Sequence, residues 1–497
     1  MELGSVYARL GAKVSVVEFL DRIIPNMDKT MSKELQKSLV GIGFDFYLGH
    51  KVTGVAVKGK EVTVTAENKT SKSMSIKGDY CLVSIGRKAY TDGLGLDKIG
   101  INLDERGRVE VDKHLKTNIC PLPWTSLEVG VNGGAAPCCL YQGQVPDVKV
   151  YKDSLQEIQA HPYMENLRTQ FKNGEKPSGC TNCWAEEKAG KTSKRMNTFY
   201  KMRNTLKDWD VDSKPELKFI DFKLGNVCNL KCRICGSWSS SKWAQEEMDY
   251  GENPVARKNL TEGGWPKKQP QFFDDIKDNL AHAEYFEFTG GEPFMIKNHF
   301  KILMYCVEKG YAKNIDIHYN TNGTQLPPQD IFDLWSYFKR VEIAFSIDDV
   351  GEQFEYQRHP AKWREVNQNL VKFKERKTKN MEFQICTTIN IFNIFSLAKI
   401  ALWVAQYQPN YFYVNTCFEP DIFNIQTLPK QIKNIVNSRY NMLKDFQPTL
   451  RFMNSVDRDT TAMRLQRQQR IIQTDKYRGE NFGEVFPLLN KVLQIYE

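Results

Sequence analysis

The chain has 497 residues, 41% of them hydrophobic and 26% charged, and a formal net charge of +9. That is the composition of a globular protein too long for a single ordinary core, so about two to four domains are expected. No apolar run is long enough for a membrane span and no leader opens the chain, which points to a cytoplasmic protein without a membrane partner. The charge comes without a compact basic run, so nucleic acid is not an expected partner. The 12 cysteines fall at metal-ligand spacings rather than in a secretory framework, which favours metal over disulfide.

The first segment, residues 1–119, opens with Leu3, Val6 and Leu10 at helical spacing, then Gly11 and the β-branched run Val14 to Val17, ending in Glu18. An amphipathic helix follows over Asp28 to Val40. Strands over Val52 to Val57 and Glu61 to Ala66 then flank a Lys-Gly-Lys turn. These elements predict an incomplete Rossmann-like segment with a β-meander. The runs Glu2 to Val14, Val17 to Arg22 and Cys81-Leu82-Val83-Ser84-Ile85-Gly86-Arg87 resemble dihydrolipoamide dehydrogenase. The resemblance implies that Glu18, an acid at a strand end, would bind the adenosine ribose of NAD.

The resemblance is to a fragment. The chain starts inside the helix that should follow a G-x-G-x-x-G turn, without the phosphate-cradling glycines, the flavin domain or the dimerisation domain. NAD and FAD are therefore not expected to work here, and an NAD/FAD-linked disulfide oxidoreductase stands as the alternative function, inactive as a fragment. Past His114 to Ile119 the pattern stops. Of a genuine fusion and a composite chain joined from a broken reading frame, the composite is expected, because a half-domain leaves a sheet edge open.

The second segment, residues 120–210, places Cys120, Gly133, Cys138 and Cys139 in a C-x₁₂-G-x₄-C-C pattern, with Cys180 and Cys183 following later as C-x₂-C. One hairpin and one later turn can bring four thiolates together, the glycine allowing the hairpin to turn tightly. The pattern resembles the twitch domain, a shortened SPASM module. That resemblance implies an auxiliary [4Fe–4S] cluster on Cys120, Cys138, Cys180 and Cys183, with Cys139 unassigned. A zinc ribbon satisfies the same four cysteines. Trp124 and Trp184 are expected to pack beside the site.

The third segment, residues 211–425, holds Cys228-Asn229-Leu230-Lys231-Cys232-Arg233-Ile234-Cys235. C-x₃-C-x₂-C offers three thiolates from one loop, one fewer than a [4Fe–4S] cluster takes, leaving an iron open to a small molecule. A zinc site would want a fourth ligand nearby. The next cysteine is Cys306, and the nearest histidine downstream is His282. The motif resembles that of the radical S-adenosylmethionine (SAM) superfamily, in which SAM chelates the open iron.

Six strands are predicted, at Leu217 to Lys223, Tyr285 to Thr289, Ile315 to Tyr319, Val341 to Ser346, Phe383 to Ile389 and Tyr411 to Asn415. Helices such as His299 to Lys309 and Gln329 to Tyr337 separate them, so the fold class is α/β with a parallel sheet. This fits the partial (β/α)6 barrel of radical SAM enzymes, whose active site lies at the C-terminal strand ends. Thr289-Gly290-Gly291-Glu292-Pro293 resembles the family's glycine-rich SAM motif, with Gly290, Gly291 and Glu292 near the SAM ammonium. Asn320 and Asn322 follow the third strand, Ser346 and Arg358 the fourth, and Asn390 and Asn393, weaker candidates, the fifth. Arg358 suits a carboxylate by its planar fork.

His318 is expected to be a packed residue rather than a ligand. In the extension, residues 426–497, Tyr440, Met442, Leu443 and Phe446 fall at helical spacing and are expected in the core. The resemblance implies a radical SAM enzyme that abstracts hydrogen from a peptide, or from another small-molecule substrate. Its cofactors would be SAM and two clusters, and its electron donor a flavodoxin or ferredoxin.

Overall fold

The computed structural model describes residues 2–25, 27–84, 118–207, 209–443 and 446–496, with Thr91, Leu96, Leu103 and Val109 besides. Ile85, Gly86, Arg87 and His114 to Thr117, which carry part of the dehydrogenase resemblance, lie outside the described residues. The chain divides into two compact units, Met1–Ala89 and Tyr90–Glu497.

In the first unit a helix, Glu2–Arg9, leads into β1 (Val14–Glu18), and a second helix, Lys29–Val40, into β2 (Phe44–Leu48). β1 and β2 pair in parallel. β3 (His50–Lys58), β4 (Glu61–Asn68) and β5 (Ser73–Gly78) form an antiparallel meander. The predicted elements are present, but they enclose little: the core is Ile23, Leu39 and Phe44, and helix Glu2–Arg9 buries no residue. Leu3, Val6 and Leu10, the apolar stripe of that helix, are all more than half exposed. An amphipathic stripe of this kind exists to be covered.

The second unit is built on one eight-stranded sheet. β6 (Ser126–Val129) and β7 (Ala135–Ala136) form a hairpin, followed by β8 (Phe219–Phe222), β9 (Tyr285–Phe288), β10 (Asp316–Thr321), β11 (Arg340–Ser346), β12 (Met381–Ile389) and β13 (Tyr411–Thr416). β8 to β13 lie side by side in chain order, every neighbouring pair parallel, as six β-α repeats require. The hairpin of the second segment joins the same sheet, β6 running parallel to β8 at its edge.

Alternation along the strands sorts side chains to two faces. Ile220, Phe222, Phe286, Phe288, Ile317, Tyr319, Ile343, Phe345, Phe383 and Ile385 pack outward under the helices, against Leu303, Phe332, Trp335, Leu370 and Phe373. The rings of Phe222, Phe288 and Tyr319 stack along neighbouring strands at 5.2 and 4.9 Å. A second core gathers Phe392, Phe423, Ile432, Val436, Phe452, Ile471, Phe482 and Phe486 around the C-terminal helices. Tyr440 is buried there as expected, but Met442 is 86% exposed and Leu443 41%. Helix Lys430–Tyr440 ends before them, so helical spacing no longer assigns their direction.

His299 packs with a neutral ring against the first of these cores, over Phe288 and Tyr319. Its Nδ1 lies 2.6 Å from Ile296 O and its Nε2 2.8 Å from Tyr319 Oη, and burial lowers its pKa to about 4. Below the unfolded pKa near 6.5 the unfolded chain takes up a proton that the folded chain refuses, so folding weakens as pH falls from about 6.5 to 4, by up to roughly 3 kcal/mol. The thermal midpoint of wild type should therefore drop over that window more steeply than that of His299→Gln, measured by differential scanning calorimetry.

Candidate active site

From β8 the chain turns through Gly225 (φ +92°) into the cysteine loop, at the C-terminal edge of the sheet. Neighbouring backbone fixes the loop. Lys231 N donates to His359 O at 2.8 Å and Arg233 N to Gln357 O at 2.7 Å. Trp243 Nε1 donates to Cys232 O at 2.6 Å.

The two cations inside the motif are held by the C-terminal extension and a neighbouring helix. Arg233 is buried, its guanidinium 2.6 Å from Asp475, paired with Glu480 and 3.8 Å over the Tyr356 ring. Asp475 also accepts from Tyr356 Oη, Phe482 N and Tyr496 Oη at 2.7, 2.7 and 2.9 Å. Lys231 pairs with Glu246 at 2.5 Å, and Arg478 reaches the same carboxylate at 3.1 Å. Arg470 and Arg478 lie over Trp243 at 4.3 and 4.6 Å. Helix Thr461–Arg478 therefore grips the cysteine loop through charge, a role its sequence did not signal.

Burial pushes the thiols of Cys228, Cys232 and Cys235 up, Cys235 to about 12, and the charge of Cys232 adds to this at Cys228 and Cys235. Three buried thiols, two of them raised further by a neighbour's charge, form a donor set that a cationic cluster core satisfies, and three cysteines are the share of a [4Fe–4S] cluster that leaves one iron free. These residues fit such a cluster, with one coordination position left over.

The strand ends beside the loop are ordered by hydrogen bonds. Glu292 is buried and its carboxylate accepts from Thr321 Oγ1 and Asn322 N, both at 2.8 Å, and from Phe294 N at 3.3 Å. Burial outweighs these donors and raises its pKa to about 7. Asn322 Nδ2 donates to Asn229 Oδ1 at 2.9 Å and lies 3.9 Å from Cys228 Sγ. Gly291 has a structural reason of its own: a Cβ there would collide with Val227 O, and Glu292 N donates to that carbonyl at 2.8 Å. The glycine pair thus docks the turn directly onto the cysteine loop.

Arg358 is buried 2.8 Å from Asp348, with Nε unpartnered, and its charge acts on Cys232. Ser346 ends β11 opposite Cys386. Asn320 lies further from the loop and accepts from Tyr413 Oη at 3.0 Å. Asn390 and Asn393 are buried and bond each other and Thr388 O, which occupies them structurally. In the first unit, Glu18 accepts from Leu20 N at 3.0 Å.

The second cysteine set also converges. Burial raises Cys120, Cys138, Cys180 and Cys183. The charges of Cys138 and Cys180 act on Cys120, and those of Cys138 and Cys183 on Cys180. Cys180 and Cys183 start helix Thr181–Lys188, and Gly133 (φ +75°) turns the hairpin where a Cβ would meet the Tyr151 ring. Trp124 packs edge-on against Trp209 at 5.5 Å, and Trp184 Nε1 donates to Pro177 O at 3.2 Å, both as shielding. Four buried thiols suit either a [4Fe–4S] cluster or zinc. Cys139 turns away from this set.

A row of polar side chains, five acids and a histidine, not anticipated from the sequence crosses the inner face of the sheet. Glu128, Asp221, Glu287, His318, Glu342 and Glu382 stand in register on six neighbouring strands. Lys194 pairs with Glu287 at 2.9 Å, Lys223 with Glu128 at 2.9 Å, and His318 with Glu342 at 3.0 Å. His318 is thus a packed, hydrogen-bonded residue. The signal was present in the sequence as an acid or histidine inside each apolar run.

A parallel β/α sheet with a three-cysteine loop at its C-terminal edge, beside four cysteines gathered from a hairpin and a later turn, is an arrangement suited to an iron–sulfur enzyme. Residues 222–400 match the radical SAM superfamily, residues 120–184 the SPASM iron-sulfur cluster-binding domain and residues 1–122 the pyridine nucleotide-disulphide oxidoreductases. The chain therefore carries a radical SAM domain and a SPASM-type domain behind a fragment similar to dihydrolipoamide dehydrogenase. That fragment is 47% identical over 121 residues to dihydrolipoamide dehydrogenase of Chaetomium thermophilum and 45% identical to the mitochondrial enzyme of Caenorhabditis elegans. Each match covers 24% of this chain and 24% of the relative, so the chain spans about a quarter of these relatives' length. Among solved structures, it is similar at 19% identity and TM-score 0.33 to anSMEcpe with bound AdoMet and Cp18Cys peptide, over 48% of this chain and 62% of that one. Streptococcus suis SuiB bound to S-adenosylmethionine is similar at 14% identity and TM-score 0.29, over 46% and 45%.

Replacing both Asp475 and Glu480 by alanine leaves the Arg233 charge buried without its acids, a loss of about 3–5 kcal/mol. The double variant should lose iron from the cysteine loop while keeping that of the other set, seen as roughly half the iron per chain by colorimetric assay, if both sites hold clusters.

Proposed function

We propose that the chain is a radical SAM enzyme with an auxiliary [4Fe–4S] cluster. The observation that carries this reading is the loop of Cys228, Cys232 and Cys235 at the end of β8, with polar residues from the ends of β9, β10 and β11 arranged beside it. When bound, the cluster and SAM would supply one-electron reductive cleavage and a 5′-deoxyadenosyl radical that takes a hydrogen atom from the substrate.

The protein's own residues have separable tasks. The three cysteines hold the cluster and leave one coordination position to SAM. Glu292 and the backbone turn of Gly290 and Gly291 receive the SAM ammonium. Asn320, Asn322 and Ser346 line its path, and Arg358, already paired with Asp348, offers Nε to a carboxylate or ribose. Cys120, Cys138, Cys180 and Cys183 hold a cluster without an open position, suited to passing electrons. The working domains are residues 120–210 and 211–425, with 426–497 bracing the loop. Residues 1–119, Glu18 included, take no part. The substrate is a peptide or another small molecule, and a flavodoxin or ferredoxin in the cytoplasm supplies electrons.

Anaerobic purification should give a brown protein with about eight irons per chain, from two cubane clusters. Cys232→Ala should lose reductive formation of 5′-deoxyadenosine and keep the auxiliary cluster. A colourless zinc protein, or cleavage surviving in Cys232→Ala, overturns the reading. Glu292→Gln removes an ionic acceptor worth about 1.5–3 kcal/mol, so SAM affinity measured by equilibrium dialysis should fall roughly 10- to 100-fold.

A further inference from the structure

The two ends of the eight-stranded sheet are finished differently. At one end β7 is only two residues long and buried, and Val145 N donates to Ala135 O at 2.7 Å. At the other end β13 is six residues long and pairs on one side only, with β12. Alternate residues of a parallel strand turn their N–H and C=O groups to opposite sides, so half of the backbone groups of β13 face away from β12. Among the described residues no strand meets them. Open edges in natural proteins are usually guarded by lysine, proline or a bulge. Tyr411-Phe412-Tyr413-Val414-Asn415-Thr416 has no charged residue, no proline and no break in register, and is rich in the aromatic and β-branched residues that favour strands. Tyr411 is 58% exposed, and Asn415 is exposed as well.

The open edge leads into the candidate active site. Phe412 and Val414 pack outward against the two cores, so Tyr411, Tyr413 and Asn415 turn to the inner face. Tyr413 Oη donates to Asn320 Oδ1 at 3.0 Å and lies 3.3 Å from His318 Nε2, and the Tyr411 ring stacks beside it at 5.7 Å. Asn415 Nδ2 donates to Cys386 Sγ at 3.2 Å, and Cys386 stands opposite Ser346 in the sheet. Asn320 and Ser346 are both assigned above to the path of SAM. Lys191, from the cysteine-rich segment, bonds Thr416 Oγ1 and closes the C-terminal end of the strand. The open stretch is therefore residues 411–415, one side chain away from the site.

We propose that the β13 edge is where the substrate docks, as an extended, uncharged polypeptide segment that adds to the sheet as a further strand. This rests on the radical reading above and selects a peptide over another small molecule. The main chain of the segment pairs with residues 411–415 and supplies the affinity, while its alternate side chains supply the specificity. Every second residue of the guest then turns to the inner face, beside Tyr411, Tyr413 and Asn415. One of them is held a strand's spacing, about 4.8 Å, from Asn415 and faces the candidate SAM site. Aromatic and β-branched residues suit the positions opposite Tyr411 and Tyr413, because such cross-strand pairs attract, and an edge without charge offers a charged residue no partner.

The test is amide hydrogen exchange, read by mass spectrometry, on the holoenzyme with the peptide acetyl-Thr-Val-Thr-Tyr-Thr-Val-amide as probe. Its control is the same sequence N-methylated at every residue, which keeps the side chains and removes the backbone donors. The formation of 5′-deoxyadenosine from SAM and dithionite is followed in parallel. The unmethylated peptide should slow exchange at residues 411–415, by about tenfold at roughly ten times its Kd, since only the free form exchanges. It should also change the rate of 5′-deoxyadenosine formation, and the methylated peptide should do neither. No slowing, slowing without a change in that rate, or equal effects of the methylated peptide overturns the proposal and leaves the radical reading intact. Protection that is present without peptide and rises with protein concentration assigns the edge to a second copy of the chain, and overturns it too. No 5′-deoxyadenosine under any condition overturns the radical reading, and this inference with it.

Discussion

Holding three thiols on one short loop is an electrostatic problem before it is a chemical one. Each thiol is driven toward its neutral form by burial, and two of them by a neighbour's charge as well. The loop nevertheless contains two cations of its own, Lys231 and Arg233, which would add disorder if left to find partners in solvent. The contact between Arg233 and Asp475 removes that freedom. It ties the middle of the motif to a residue 242 positions away, and Asp475 is in turn held by three further donors. A buried ion pair of this kind need not contribute net stability. What it supplies is a single position for the loop.

The inner face of the sheet follows a related logic. Packing five acids and a histidine across six strands in a low-dielectric interior is tolerable only when the acids are paired. Lys194, Lys223, His318 and Arg340 provide those partners for Glu287, Glu128 and Glu342. Asp221 is left with the smallest share, and burial together with the charge of Glu287 pushes its pKa up, while Lys194 holds Glu287 down. Two adjacent carboxylates thus differ in character because one has its own ammonium and the other does not. The lysine that makes the difference comes from the cysteine-rich segment rather than from the barrel.

Much of this was legible from the chain. The six barrel strands declare themselves because buried parallel strands are short apolar runs between helical stretches, and cysteines at fixed spacing declare their convergence. Glu292 and Asn322 stood out as candidates because they fall in the turns after strands. Other features were not legible. Asp475 lies in an ordinary amphipathic helix, and nothing local distinguishes it from a solvated acid. The separation of Cys139 from Cys138 depends on which way a hairpin turns, and two adjacent cysteines read alike in a sequence. Met442 and Leu443 were misplaced because helical periodicity was carried past the point where helix Lys430–Tyr440 ends.

The pairing of β6 with β8 also bears on how the protein survives in a crowded cell. β8 is the first strand of the barrel, and without Ser126–Val129 alongside it the backbone of Phe219–Phe222 would present an open row of donors and acceptors. Such an edge is a template for pairing with other chains. The strand that covers it belongs to the hairpin that also brings Cys120 and Cys138 together. Resistance of the barrel to aggregation is therefore vested in its cysteine-rich neighbour, and damage to that hairpin would be felt as lost solubility as well as lost chemistry.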